Sequence, residues 1–329
     1  MNQNNTPKVV SIICPLINEE ESIPIFYERL QAAIKPLKKT YDFELFFTNN
    51  RSTDRSLEII KDICKNDSMV NVLTLTRNFG YQRSMLAGLN QAKGDIYIFI
   101  DVDCEDPPEM IPEFIEYWEQ GFDIVYGLRD KRGYEPKIIE YSRKLFYRIL
   151  NAVNDNESIL DMAEFSLFTR DVLDVIISNQ STFPFIRNEI AYVGLKQKGI
   201  RYNRQKRAAS KTYYNLIGMF QFGIAGILTA STFPLRLVLY LALPIFFTNL
   251  VFLYQNIFGN SNNSMDIIIT LDLMFIVFSV PILSIYLARV YHDVIGRPNY
   301  VIDWNKVSNG RSTDFRKHVA ALRFSVFIR

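Results

Sequence analysis

Apolar residues fall in short runs between polar stretches as far as about Lys211, and in two long runs after it. Val9 to Pro15 is a β-rich apolar run, closed by a loop that carries Asn18, Glu19 and Glu20. Ser22-Ile23-Pro24 reads as a helix start, with the helix continuing to about Lys38. Phe43 to Thr48 reads as the second strand, ending in the polar stretch Asn49-Asn50-Arg51-Ser52-Thr53-Asp54, and a helix follows to about Lys65. Val70 to Thr76 predicts a third strand, Tyr81 to Ala92 a third helix, and Ile96 to Ile100 a buried fourth strand. Strands alternating with helices predict an α/β domain with a mostly parallel, doubly wound sheet.

The later pattern differs. From Leu237 to Ala288 there is no Lys or Arg, and the only charges are Asp266 and Asp272. Gly259-Asn260-Ser261-Asn262-Asn263-Ser264 divides this stretch, leaving two segments that each supply the roughly 20 apolar residues a transmembrane helix needs. Both are apolar on all faces, which favours lipid over a soluble core. Basic residues flank the pair on both sides and the connecting loop has none, so the positive-inside rule predicts both ends in the cytoplasm. Asn262-Asn263-Ser264 is a formal glycosylation sequon, read here as a polar turn. Tyr213 to Thr232, apolar and rich in small residues, predicts helices lying in the membrane interface. The expected organisation is a cytosolic domain over 1–210, interface helices over 211–236, a transmembrane hairpin over 237–288 (spans 237–258 and 265–288), and a cytosolic tail over 289–329.

Composition narrows the function. A net charge of +2 over 329 residues argues against a general polyanion binder, so no nucleic-acid partner is expected. Cys14, Cys64 and Cys104 are scattered, with only two histidines in the chain, so free thiols in a reducing compartment are expected. There is no GxGxxG and no GxxxxGK[ST], which disfavours a dinucleotide oxidoreductase or a P-loop NTPase.

The chemistry concentrates after the fourth strand. Asp101, Asp103 and Glu105 stand at alternate positions, and Pro107 and Pro108 then turn the chain out of the sheet. Carboxylates at the carboxyl end of such a strand lie where open α/β sheets bind ligands. As hard oxygen donors they suit Mg²⁺ or Mn²⁺ beside a diphosphate; the plainer reading is a solvated acidic turn. The other strand ends would bring Asn18, Glu19, Asn50, Asp54, Arg77 and Asn78 to the same rim.

These motifs together resemble a family 2 glycosyltransferase of the GT-A fold, in its polyprenyl-phosphate branch, which includes the dolichol-phosphate mannose synthases and bacterial undecaprenyl-phosphate glucosyltransferases. The resemblance runs from about Val9 to Tyr300 and keeps the family order. Ile13-Cys14-Pro15-Leu16-Ile17-Asn18-Glu19-Glu20 resembles the nucleotide-contacting first strand, and Arg77-Asn78-Phe79-Gly80 with Ala87-Gly88-Leu89 the next block. Asp101-Val102-Asp103 stands at the DXD position, followed by Asp106-Pro107-Pro108-Glu109. Gly127-Leu128-Arg129 with Arg132 resembles a basic element, and Tyr202, Arg204, Arg207, Ser210 and Lys211 the juxtamembrane basic motif. Ser231 to Arg236 and Arg297 to Tyr300 resemble the segments that bracket the hairpin.

The resemblance implies inverting, metal-dependent transfer of one hexose from a nucleotide sugar, UDP-linked and for example UDP-glucose, to undecaprenyl or another polyprenyl phosphate. The lipid-linked monosaccharide would then serve cell-surface glycan modification from the bacterial inner membrane. By resemblance, Pro15, Asn18, Glu19, Asn50, Asp54, Arg77, Asp101 and Asp103 would hold the nucleotide sugar. Asp103 and Glu105, with Asp101, would hold Mg²⁺ or Mn²⁺, and Arg129, Arg132, Arg204, Arg207, Ser210 and Lys211 the diphosphate and lipid phosphate. For the basic residues the alternative is a solvated face drawn to anionic lipid. Glu164 or Asp161 would be the base or acceptor-positioning group, against a helix-start carboxylate as the plain reading. The chain departs from the family at Asn49-Asn50-Arg51-Ser52, where relatives carry Asp-Asp-Gly-Ser, and at Ala163-Glu164-Phe165, where they carry Gly-Asp-Phe. Alternative functions are a transferase extending a lipid-linked oligosaccharide or polysaccharide, and an inactive membrane scaffold partnering a flippase. The resemblance also admits a homo-oligomer.

Overall fold

The computed structural model describes residues 7–129, 162–179, 181–182, 184–208, 231–258 and 264–307. Arg132, Asp161, Ser210 and Lys211 lie outside these residues, as do most of the expected interface helices and C-terminal tail. The elements in chain order are β1 (Lys8–Leu16), α1 (Ser22–Ile34), β2 (Tyr41–Asn49), α2 (Ser56–Asn66), β3 (Val70–Thr74), α3 (Tyr81–Leu89), β4 (Ile96–Phe99), α4 (Ile111–Glu119) and β5 (Ile124–Arg129). Then come β6 (Met162–Thr169), α5 (Arg170–Ser178), α6 (Ile186–Tyr192), β7 (Gln197–Tyr202), α7 (Phe233–Phe258) and α8 (Ser264–Ile295). The first helix ends earlier than its pattern predicts, because Pro36 has no amide hydrogen to continue the ladder; a 3₁₀ turn, Leu37–Lys39, follows.

The seven strands form one sheet in the order β3-β2-β1-β4-β6-β5-β7. The pairs β3–β2, β2–β1, β1–β4 and β5–β7 are parallel; β6 runs antiparallel between β4 and β5. The sheet is thus mostly parallel, as expected. Side chains alternate between two cores, as a period of two requires. Val10, Ile12, Cys14, Ile96, Ile98, Phe165 and Leu167 face the side of α1, α2 and α4. Ile13, Tyr97, Phe99 and Phe168 face the side of α3, α5 and α6.

Helix α3 lies unusually close to the sheet. A Cβ on its Gly88 would stand 2.5 Å from Ile13 Cγ2 and 2.8 Å from Thr48 Cγ2, so only glycine permits that approach. Gly80, with φ of +91°, turns the chain into the helix.

Helices α7 and α8, of 26 and 32 residues, are both long and apolar enough to cross a membrane, and almost none of their residues is buried. They pack on each other, and Asn249 Nδ2 donates across the pair to Asp272 Oδ1 at 2.7 Å. Beyond α8 the chain returns to the sheet. Thr76 N donates to Val301 O at 2.9 Å, Asp303 N donates to Thr74 O at 2.8 Å, and Leu75 bridges Ile302 in antiparallel sense. Ile302 is buried with Leu75 and Ala87, and Phe79, Tyr300 and Trp304 pack around them.

Candidate active site

The chain leaves β1 in one direction for β2 and β3, then crosses back to β4 on the other side. The carboxyl ends of β1 and β4 therefore flank a topological switch point, where such sheets open a crevice. Asn18, Arg51 and Cys104, with φ of +54°, +68° and +58°, are the non-glycine residues in left-handed backbone among the described residues, and all three lie in loops at this rim. Each such conformation costs of order 1 kcal/mol or more, and strain of this kind clusters where geometry is functional.

The expected nucleotide residues meet here, largely engaged with one another. Asn18 donates its N–H to Ser52 Oγ (2.9 Å) and accepts from Thr53 N (2.8 Å). Asp54 accepts from Glu20 N and Ser56 N, tying the β1 loop to the start of α2. The Asn50 amide donates to Asn78 Oδ1 (2.8 Å) and accepts from Phe79 N (2.9 Å), so it shapes the loop after β3. Arg77 is exposed and stacks its guanidinium over Phe79, 4.1 Å from the ring centroid. Pro15 is buried in β1 beside Thr48.

The acidic loop after β4 is covered by residues 203–208, which lead from β7 toward the hairpin. Ala208 N donates to Asp103 O (3.0 Å) and Gln205 N to Glu105 O (2.9 Å). Side chains repeat the pairing: Arg207 reaches Asp103 (3.1 Å) and Glu19 (3.2 Å), and Arg204 pairs with Glu105. Arg204 Nε is buried without a hydrogen-bond partner among the described residues.

Two sets of pairings were not anticipated from sequence, although several of their members were named there. Asp106, which is 1% exposed, accepts from Arg129 at 2.9 Å and from the Tyr202 hydroxyl. Burial works against the Arg129 charge, but Asp106 and Tyr202 outweigh it and raise its pKa further. On the α3 side of the sheet, Tyr81 donates to Asp101 Oδ1 (2.6 Å) and Gln82 Nε2 donates to Glu164 Oε1 (3.3 Å). Arg187 donates to the Met162 carbonyl (3.1 Å), on the strand that carries Glu164. The available signal for Tyr81 and Gln82 is position: they open a helix whose start follows Arg77-Asn78-Phe79-Gly80.

The site is rich in negative charge. Burial pushes Asp101 up to about 7, Asp103 and Asp106 push the same way, and the Tyr81 hydrogen bond opposes them. Burial also raises Glu164, offset in part by Arg187, Arg129 and the Gln82 amide. Among the described residues no three His, Cys, Asp or Glu side chains are gathered closely enough to enclose a metal ion. A donor set of two carboxylates nevertheless suits Mg²⁺ or Mn²⁺, which commonly use one or two carboxylates and complete their shells with substrate phosphate and water. The excess buried negative charge around Asp101 fits a cation.

Residues 11–177 match the model for Glycosyl transferase family 2. The chain belongs to that family. It is 33% identical over 300 residues to the uncharacterized glycosyltransferase YkcC of Bacillus subtilis, covering 89% of this chain and 92% of that protein. It is 32% identical over 304 residues to a prophage bactoprenol glucosyl transferase homolog of Escherichia coli, covering 89% and 98%. Among solved structures, the mannosyltransferase PcManGT of Pyrobaculum calidifontis, in complex with GDP-Man and Mn²⁺, superposes with a TM-score of 0.46 at 13% identity, over 97% of this chain and 81% of that one. The molecule is a glycosyltransferase, and its family supports a nucleotide sugar as the class of donor.

Proposed function

We propose that this family 2 glycosyltransferase moves a single glucosyl unit from a UDP-linked donor to a polyprenyl phosphate at the membrane surface, inverting the anomeric carbon. The observation that carries this reading is the seating of the basic stretch 203–208 directly on the Asp103–Glu105 loop. A lipid phosphate held at the interface by that basic stretch would stand beside the donor crevice. The bactoprenol glucosyl transferase names carried by relatives support a polyprenyl acceptor and glucose.

In this reading the β1, β2 and β3 loops grip the nucleoside. Arg204 and Arg207 exchange their carboxylate partners for phosphate oxygens, and charge-assisted bonds to the departing diphosphate strengthen as its charge grows. Arg129, committed to Asp106 and Tyr202, holds β5 and β7 to the acidic loop. A divalent ion, when bound by Asp101 and Asp103 with Glu105 at its margin, would supply the remaining neutralisation of the diphosphate. The acceptor phosphate is already anionic near neutral pH, so Glu164 orients it or takes up a residual proton without having to be a strong base. The basic residues that flank the hairpin, with none in its connecting loop, support a cytoplasmic catalytic domain and flanks.

The test uses purified protein in detergent with Mn²⁺, undecaprenyl phosphate and a panel of UDP- and GDP-sugars, following nucleoside diphosphate release and the mass of the lipid product. Release that needs both metal and lipid, and is lost in Asp103→Ala, is expected with UDP-glucose. Turnover only when a lipid-linked sugar replaces the phosphate would instead indicate an extending transferase, and silence with both would sink the catalytic reading in favour of a scaffold.

A further inference from the structure

We propose that Gln82 is the positioning residue that fixes the Glu164 carboxylate on the acceptor side of the site. This rests on the reading of Glu164 as the acceptor-side carboxylate. Helix α3 begins with two side chains that diverge: Tyr81 reaches Asp101 under the donor crevice, and Gln82 reaches Glu164 on β6. Consecutive residues of one helix thereby set the spacing between the two carboxylates. The helix stands close on the sheet, where Gly88 leaves no Cβ between it and Ile13 and Thr48.

Both ends of the Gln82 amide are used. Its Oε1 accepts from Ile186 N at 3.0 Å, the first residue of α6, whose N–H has no partner within the helix. With the carbonyl so committed, the NH₂ group must face Glu164, which settles the orientation of the amide. The strand and helix that meet at Gln82 are also tied to each other, through Arg187 to the Met162 carbonyl. A neutral donor suits this place. Asp101, Asp103, Asp106 and Glu164 already crowd the site with carboxylates, and an amide holds one of them without adding another charge.

The neighbouring residue extends the frame to the hairpin. Arg83 donates to the Thr182 carbonyl (2.7 Å), and Thr182 donates through its N–H (2.8 Å) and hydroxyl (2.6 Å) to Asp293 near the end of α8. Thr182, four residues before Ile186, is therefore anchored to a helix of the hairpin. The carboxylate and the lipid-bearing end of the molecule share one frame, which a reaction between a soluble donor and a membrane acceptor requires.

The experiment compares wild type, Gln82→Met, Gln82→Asn, Glu164→Gln and the double variant Gln82→Met/Glu164→Gln. Assays use detergent with Mn²⁺, undecaprenyl phosphate and whichever donor of the panel is turned over. Met keeps the bulk and loses both bonds. We expect kcat to fall roughly tenfold to a hundredfold, the cost of a misplaced reacting group, with donor KM nearly unchanged. Asn, reaching only one partner, should fall between. In the Glu164→Gln background the Gln82 change should add little, because two residues acting through one group are non-additive. Unchanged kcat in Gln82→Met, or a loss that multiplies fully with that of Glu164→Gln, overturns the positioning role. Wild-type kcat in Glu164→Gln, or no turnover of any donor, overturns the reading beneath it. Should Gln82→Met not fold, the same comparisons are made with Gln82→Asn, and equality of Gln82→Asn with wild type is then the overturning result.

Discussion

Replacing Arg129 by Met tests how the acidic loop is held. Asp106 is 1% exposed and its carboxylate is shared between Arg129 and Tyr202; the Arg129 side chain is 30% exposed. Removing one partner of a fully buried pair costs about 3–5 kcal/mol, because the remaining charge is left without compensation. Here water can enter along the exposed side of Arg129 and Tyr202 remains, so we expect about 2–3 kcal/mol. For a domain of this size that lowers the apparent Tm by roughly 4–12 °C. Tryptophan fluorescence of the detergent-solubilised protein at one scan rate reads it out, since the two tryptophans, Trp118 and Trp304, both lie outside the hairpin helices. Adding Asp106→Asn to Arg129→Met removes the stranded charge and should recover at least half of the loss. A Tm within about 2 °C of wild type for Arg129→Met, or a double variant no better than the single, would refute the reasoning and free Arg129 for the phosphate role expected from sequence.

Gly88→Ala should destabilise by about 1–3 kcal/mol in the same thermal assay, since the new methyl meets two stiff β-branched side chains in a closed core; a neutral result would mean that α3 can lift from the sheet. Arg207→Ala should lower turnover by roughly a hundredfold, and Arg207→Lys should restore only part, because a single ammonium cannot reproduce the guanidinium's forked bonds to the phosphate oxygens that replace Asp103 and Glu19. The Arg29–Glu109 pair predicts a pH dependence of stability. The hydrogen bonds from Arg29 hold the Glu109 carboxyl below its ordinary value, so the pair's contribution is complete above the unfolded carboxylate range and is lost as pH falls through the folded value. Both side chains are partly exposed, so the Tm deficit of Arg29→Met should correspond to about 1 kcal/mol or less at pH 7 and shrink below about pH 4 to the part due to the Arg29 bond to Gln205; a deficit independent of pH would refute the assignment.

The half of the fold up to β4 was legible because each βα unit is local: an apolar run, a polar loop and an amphipathic helix all sit within about thirty residues. Strand β6 was not legible as antiparallel. Its partners are β4 and β5, and nothing in Met162–Thr169 itself states the direction in which it enters the sheet. The acidic end of β4 could be read from Asp101 and Asp103 because chemistry and secondary structure coincide there. The Asp106–Arg129–Tyr202 group could not, since its members stand 23 and 73 residues apart and meet only when β5 and β7 pair. Asn50 shows the opposite difficulty. Its place at the rim was visible, but its partners, Asn78 and Phe79, come from a loop nearly thirty residues on.

The return of the chain to β3 after α8 bears on how the protein is made. Strand β3 is the outer strand at its end of the sheet, and the backbone groups of Thr74 and Thr76 find their partners in Val301 and Asp303. Those partners leave the ribosome only after both hairpin helices have been synthesised. Until then the nascent domain carries an open sheet edge beside uncovered Leu75 and Phe79, a template for pairing with other chains. The sheet is finished last at its β3 edge, after the two long apolar helices have been made. A protein shortened just before the hairpin keeps every strand and loses the piece that makes its sheet safe in solution.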